Sequence, residues 1–172
     1  MPTLHLLRHA KSDWGDPGLG DHQRRLSKRG ERAAAEIARH VRKARLSPDL
    51  VLCSSSRRTV DTLAALRAAL PESTRVEITD SLYEVDADAI LDQLRRLSGS
   101  IGAVLVVGHN PGMASLVQAL AGEASDEVLA RSVATKYPTG GLATLEFEGN
   151  WPDLAPGTAR LTGFVRPKDL GD

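Results

Sequence analysis

Residues 103–107 read AVLVV, five apolar side chains in a row with no polar alternation. A run that short and that apolar is a strand covered on both faces, so helices must lie above and below it and its sheet is largely parallel. The rest of the chain supplies those layers. Residues 3–7 (TLHLL), the DLVLCS run that begins after Pro48, and residues 75–79 (RVEIT) read as further strands. Between them fall helical stretches. Ser27 is placed to cap a helix that runs to about Lys43 with Ala34, Ile37, Ala38 and Val41 on one face. TVDTLAALRAAL is a second, closed by Pro71, and residues 86–97, with Ile90, Leu91 and Leu94 inward, are a third. Asn110 and Pro111 are suited to cap and open a fourth. Residues 9–26, punctuated by Gly, Pro and Asp, read as a loop. Near the end, GLATLEFEG and ARLTGFV flank NWPDLAPGT, the pattern of an edge hairpin. Strand–helix alternation of this kind predicts an α/β fold, a three-layer α/β/α sandwich around a mostly parallel central sheet.

The 172 residues suit one domain spanning 1–172. Aromatic residues make up only 3% of the chain, so its core must be built from Leu, Val, Ile and Ala. Twenty-two basic residues balance 22 acidic ones, which gives no global pull toward nucleic acid or an anionic membrane. Any anion must be drawn by local charge. The single cysteine, Cys53, has no intramolecular disulfide partner, no secretory leader is legible, and no apolar run approaches the roughly 20 residues that cross a bilayer. The expected location is cytoplasmic.

In parallel sheets, ligands bind beyond the carboxyl ends of the strands. Three predicted strands end there in polar residues: Arg8-His9, Ser54 through Arg58, and His109-Asn110. Guanidinium forks, imidazoles and helix N-termini brought together match a phosphate-sized anion. Cys53 fails as a nucleophile for such a group. A cysteine phosphatase loop needs Cys, five residues and then Arg, but the sixth position after Cys53 is Thr59. The five histidines are scattered, and no HExxH, HxH or carboxylate–histidine cluster has metal-ligand spacing, so no cofactor is expected. A histidine nucleophile remains. Flanking arginines hold imidazole neutral, the state that attacks phosphorus, while binding phosphoryl oxygens.

Leu7-Arg8-His9-Ala10 resembles the Arg-His-Gly signature of the histidine phosphatase superfamily, the phosphoglycerate mutase-like fold. Three further stretches are similar to that family in the same order. These are Leu26 to Gly30, like its Leu-Thr-x-x-Gly helix start; Ser54 to Thr62, like its Ser-Pro-x-x-Arg-Ala-x-x-Thr element; and Val107 to Asn110, like its second-histidine strand end. Ala10 and Ser55 replace the usual Gly and Pro. The "RHAKSDW" opening and the closing "W…F…RPKDL" resemble the compact SixA-type branch, associated with phosphohistidine phosphatase activity.

The resemblance implies a phosphatase in which His9 attacks phosphorus in line, becomes phosphorylated and is then hydrolysed, with no metal. Arg8, Arg58 and His109 would clamp the equatorial oxygens, and Glu84 in "SLYEVD" stands near the place of the family's general acid. Lys11 and Ser12 would line the entrance to the substrate site. The expected partner is a phosphohistidine protein or a small phosphorylated metabolite, with neither nucleic acid nor membrane. A histidine phosphoramidate can leave as neutral imidazole, so a weak acid signal favours the protein substrate. A phosphoester phosphatase or phosphotransferase, and a phosphoryl-binding module with weak catalysis, stay open as alternatives. Other residues read as structural: His5 and His40 as parts of strand and helix, Ser54 and Thr62 as holders of their loop, and Arg57 as facing solvent. His22, Arg24 and Arg25 lie in the long loop, where they could meet the outer part of a substrate.

Overall fold

The computed structural model describes residues 1–14 and 16–171; residue 15, within the 9–26 loop, and residue 172 lie outside them. Among the described residues the strands are β1 (Thr3–Arg8), β2 (Leu50–Ser54), β3 (Arg75–Thr79), β4 (Ala103–Gly108), β5 (Leu142–Phe147) and β6 (Ala159–Val165). The α-helices are α1 (Lys28–Lys43), α2 (Arg57–Leu66), α3 (Ala87–Arg95), α4 (Gly112–Leu120), α5 (Glu127–Thr135) and the single turn α6 (Pro167–Leu170). The strands form one sheet in the order β3-β2-β4-β1-β5-β6. β3, β2, β4 and β1 run parallel, and β5 and β6 are added antiparallel at one edge. This is the α/β architecture expected from the alternation, with the hairpin at the edge.

Strand periodicity sorts the core into two layers. Leu4, Leu6, Leu50, Leu52, Val104 and Val106 pack on one face beneath Leu91 and Leu94 of α3 and Met113 and Leu116 of α4. On the other face Leu7, Val51, Cys53, Leu105 and Val107 meet Ile37 and Val41 of α1 and Leu63 and Leu66 of α2. Both faces of the central strands are therefore dry, as the AVLVV run requires. No helix among the described residues is long and apolar enough to cross a membrane.

Several boundaries differ from the sequence reading. The stretch read as one helix over TVDTLAALRAAL begins earlier, at Arg57, and tightens into a 3-10 turn at Arg67–Ala69 before Pro71. The fourth helix starts at Gly112 with Pro111 as its N-cap, one residue later than expected, while Asn110 Oδ1 still accepts from Ala114 N at 3.1 Å. The 9–26 loop contains a 3-10 turn at Asp21–Gln23. α5 was not foreseen: only Val133 of its nine residues is buried, so it carries almost no periodic signal.

Two glycines let backbones meet near the carboxyl edge of the sheet. An ideal Cβ on Gly30 would sit 1.9 Å from the Lys11 carbonyl oxygen, and one on Gly112 would sit 2.4 Å from the Val85 carbonyl oxygen. The first contact ties the loop after β1 to α1. The second seats the segment carrying Glu84 against the start of α4.

Candidate active site

Register alone brings the polar strand ends together. Arg8 of β1 pairs with Gly108 of β4, so His9 and His109 emerge side by side, and Cys53 of β2 pairs with Val107, so Ser54 flanks them. The two imidazole centroids are 5.3 Å apart. Arg58 arrives by helix capping. Ser56 caps α2 by accepting from Thr59 N, which places Arg58 in the first turn, pointing at the strand ends.

Arg58 is the hub, only 1% exposed. Its Nε lies 3.4 Å from His9 Nε2, and its Nη2 is 3.5 Å from His109 Nδ1. Nη2 also donates to Glu84 Oε1 at 2.8 Å and Asp21 Oδ2 at 3.1 Å, and Nη1 donates to the Asp21 carbonyl at 2.8 Å. Glu84 reaches it from a left-handed backbone, φ 54°, a conformation uncommon outside glycine and one that tends to collect at functional sites. Its carboxylate oxygen is also 3.6 Å from His109 Nδ1. Arg57 faces away and pairs with Asp61, as its position one step along the helix requires.

A hydrogen bond assigns the His9 tautomer. His9 Nδ1–H donates to the Ala10 carbonyl at 2.7 Å, which leaves the Nε2 lone pair facing the Arg58 cation. Nε2 of His109 pairs with Ser54 Oγ at 2.8 Å, and its Nδ1 faces both Arg58 Nη2 at 3.5 Å and Glu84 Oε1 at 3.6 Å. Burial is the main reason both rings stay uncharged. It pushes His9 down to about 4, helped by the Arg58 and Arg8 charges, and it pushes His109 down to about 3, helped by the neighbouring His9 and Arg58. Burial raises the Cys53 thiol to about 12, which leaves it inert.

These neutral rings predict an acid-sensitive fold. Unfolded histidine titrates near 6.5, above the folded values for His9, His109 and also His5, which burial holds at about 4. The unfolded chain therefore takes up these protons first. Stability from the three groups is complete above about pH 6.5 and falls toward pH 4, by up to roughly 1.4 kcal/mol per pH unit for each group. Urea midpoints at pH 7.5, 6 and 5 should decline in that order.

Residues read only as structural hold the site together. Thr62 Oγ1 accepts from Ala10 N at 3.0 Å and donates to the Arg58 carbonyl at 2.7 Å, joining the segment after β1 to α2. Thr62→Val keeps the shape but leaves the buried Ala10 N–H unpaired. Its expected cost is about 1–3 kcal/mol, measured by denaturant unfolding. The Tyr137 carbonyl accepts from Arg8 Nη1 at 3.0 Å and from Asn110 Nδ2 at 2.9 Å. Arg8 Nε is buried without a hydrogen-bond partner among the described residues.

Asp21, Tyr83 and Tyr137 were missed in the sequence. Tyr83 donates to Asp21 and so holds that carboxyl below its usual range, with Arg58 adding to the effect. His22 reaches Ser55 Oγ at 2.9 Å, and the Arg24 guanidinium lies 3.4 Å over the Trp14 ring. Neither Lys11 nor Ser12 touches the imidazoles. Ser12 is buried in a bridge to Leu26, and exposed Lys11 lines a neighbouring cleft with Arg29 and Lys136. Among the described residues no cluster of three or more His, Cys, Asp or Glu side chains is placed to hold a metal ion.

Comparison with known proteins agrees with this geometry. The family model of the histidine phosphatase superfamily (branch 1) matches residues 4–93, a span that includes His9, Arg58 and Glu84. Protein Rv1276c of Mycobacterium tuberculosis is 34% identical over 163 residues, covering 94% of this chain and all of the relative. The crystal structure of SixA from Agrobacterium tumefaciens, a proposed phosphohistidine phosphatase, is 30% identical with a TM-score of 0.82, covering 97% of this chain and 99% of that one. SixA from Nakamurella multipartitia, likewise a proposed phosphohistidine phosphatase, gives 31% identity and a TM-score of 0.81 with 96% of each chain covered. Sheet order, the paired histidines at the strand ends and similarity along nearly the whole sequence lead to one conclusion: this chain belongs to the histidine phosphatase superfamily and is a phosphatase.

Proposed function

We propose that this phosphatase removes the phosphoryl group from phosphohistidine on a protein partner, through a covalent intermediate on His9. The observation that carries the reading is the His9 tautomer, with Nδ1–H fixed on the Ala10 carbonyl and the Nε2 lone pair facing the site with only a long 3.4 Å contact from Arg58 Nε to displace. In the first step that lone pair forms a P–N bond while the bond from phosphorus to the substrate imidazole breaks. The departing ring keeps the bonding electrons and leaves neutral because its other nitrogen already carries a proton. In the second step water attacks the same phosphorus, and the electrons of the P–Nε2 bond return to His9. Its Nδ1–H makes His9 a neutral leaving group in turn.

Arg8 and Arg58 carry the charge on the equatorial oxygens, the larger part of catalysis in phosphoryl transfer, and neutral His109 adds an Nδ1–H donor when Ser54 Oγ–H donates to its Nε2. The unpartnered Nε of Arg8 supports that role. Incoming oxygens compete with Glu84 and Asp21 for the Arg58 Nη2 hydrogens, so the Glu84 carboxyl is displaced toward the leaving group. A second reading follows from its position. Once released from Arg58, a carboxyl at this place can pass a proton to a departing alkoxide, which favours a small phosphoester as substrate.

Glu84→Gln separates the two chemistries. Ester turnover should fall about 10²-fold or more, whereas phosphoramidate turnover changes by less than about tenfold, because its leaving group needs no proton. Equal losses would contradict the leaving-group argument. The substrate itself is tested by comparing kcat/KM on a phosphohistidine protein with kcat/KM on a panel of phosphorylated metabolites. The reading expects the protein to win; rapid metabolite turnover with an inert protein substrate would replace it with the ester reading. Tight phosphate binding without turnover of either would leave only a binding module.

A further inference from the structure

The chain as a whole is electrically balanced, yet one cleft of about 470 Å³ beside the catalytic segment is not. Five cations line it: Lys11, Arg29, Lys136, Arg166 and Lys168. Its other walls come from small or neutral residues, among them Ala33, Pro138 and Thr139, and among the described residues no carboxylate lines it. Arg166 is held by Asp169 through both its backbone and its guanidinium. Among the described residues the other four make no ion pair. Asp169 counters Arg166 and lies within electrostatic reach of Lys168, but Lys11, Arg29 and Lys136 add like charge that repels, and an anionic partner relieves that repulsion.

The cleft shares its backbone with the catalytic site. Lys11 lies two residues beyond His9, and its carbonyl is fixed by Ser27 N at 3.0 Å and by Ser27 Oγ at 3.2 Å. On the opposite wall, the turn holding Pro138 and Thr139 continues to Gly140, whose N–H donates to the carbonyls of both Arg8 and His9. Tyr137, which precedes that turn, gives its carbonyl to Arg8 Nη1. The cleft and the site therefore share the segment after β1 and the turn before β5.

We infer that this cleft binds an acidic segment of the polypeptide that carries the phosphohistidine, so that the substrate is recognised at two places. The inference rests on the proposed protein substrate and adds what selects it. A compact phosphate or nucleotide site would enclose its ligand with buried donors, or offer an aromatic face to a base. Here Lys11, Arg29, Lys136 and Lys168 are exposed on long stems around an open cleft with no aromatic lining. Spread point charges of that kind suit carboxylates distributed along an extended chain. They act chiefly on encounter and on KM, and they weaken with salt.

The test reverses three charges that the catalytic reading does not use, in the variant Arg29→Glu/Lys136→Glu/Lys168→Glu, with its melting temperature measured as a check on folding. A fluorescent oligoglutamate peptide should bind the parent at low salt. The variant should bind it about tenfold or more weakly, and so should the parent at high salt. On a phosphohistidine protein the variant's kcat/KM, taken relative to its kcat/KM on an aryl phosphate, should fall by about the same factor. No peptide binding by the parent, or equal binding by a folded variant, overturns the inference. Preference for polyphosphate of matched charge overturns the polypeptide as the occupant. An unchanged ratio with active protein turnover rejects the cleft and leaves the phosphohistidine activity standing. A parent that binds the peptide but turns over no phosphohistidine protein rejects that activity, and with it the assignment of the cleft to that substrate.

Discussion

His9→Ala is expected to lower turnover of a phosphohistidine protein and of an aryl phosphate alike by about 10⁴-fold or more. No other group at the site can take over. Cys53 is buried in the sheet with its thiol raised to about 12, and the His109 nitrogens are directed at Ser54 and Arg58. The fold should survive, because the His9 side chain bonds only to its own neighbour's carbonyl and otherwise makes a long contact with Arg58 and a tilted ring contact with His109. Affinity for tungstate or inorganic phosphate should persist as well, since Arg8, Arg58 and His109 remain. A variant that binds the anion, melts normally and does not turn over substrate separates a nucleophile from a structural histidine. Retained turnover would move the nucleophile elsewhere.

Arg58→Ala should cost about 10²–10³-fold or more in kcat/KM on both substrates, because the lost cation acts on charge that peaks in the transition state. Its structural cost is smaller than its burial implies. The carboxylates it holds, Asp21 and Glu84, are about half exposed, so both can turn to water when the guanidinium is removed. The loop after β1 should loosen, since Asp21 anchors it through a carbonyl and a carboxylate on the same side chain. Arg58→Lys should recover little activity: an ammonium cannot face His9, His109 and the anion at once as the planar fork does. Limited proteolysis within residues 10–26, alongside the kinetics, distinguishes a loosened loop from a lost transition-state contact.

What could be read from the sequence follows from how each feature is encoded. The central strands were legible because burial on both faces leaves an unbroken apolar run, and the layer order follows from the helices between them. α5 was not, because a helix with one buried residue has almost no pattern. Its signal was a cap instead, Asp126 accepting from the amides of both Val128 and Leu129. The polar strand ends Arg8-His9, Ser54 through Arg58 and His109-Asn110 stood out because cations and imidazoles after an apolar strand are locally out of place, and the family resemblance selected Arg8, His9, Arg58 and His109 among them. Asp21 and Tyr83 were hidden in polar loops where such residues are ordinary, and Tyr137 contributes to the site through its carbonyl, which side-chain chemistry does not encode. The long loop after β1 gains its reason from Asp21, which brings it back over Arg58.

The central claim is a covalent bond between phosphorus and His9 Nε2. Its most direct test is to mix the enzyme with ³²P-labelled phosphohistidine protein, quench within milliseconds in alkaline denaturant, where phosphohistidine survives, and map the label. The account predicts label on the peptide containing His9, appearing and decaying at rates that match turnover, and none in His9→Ala. Full turnover by an enzyme that never carries label at His9 would contradict it.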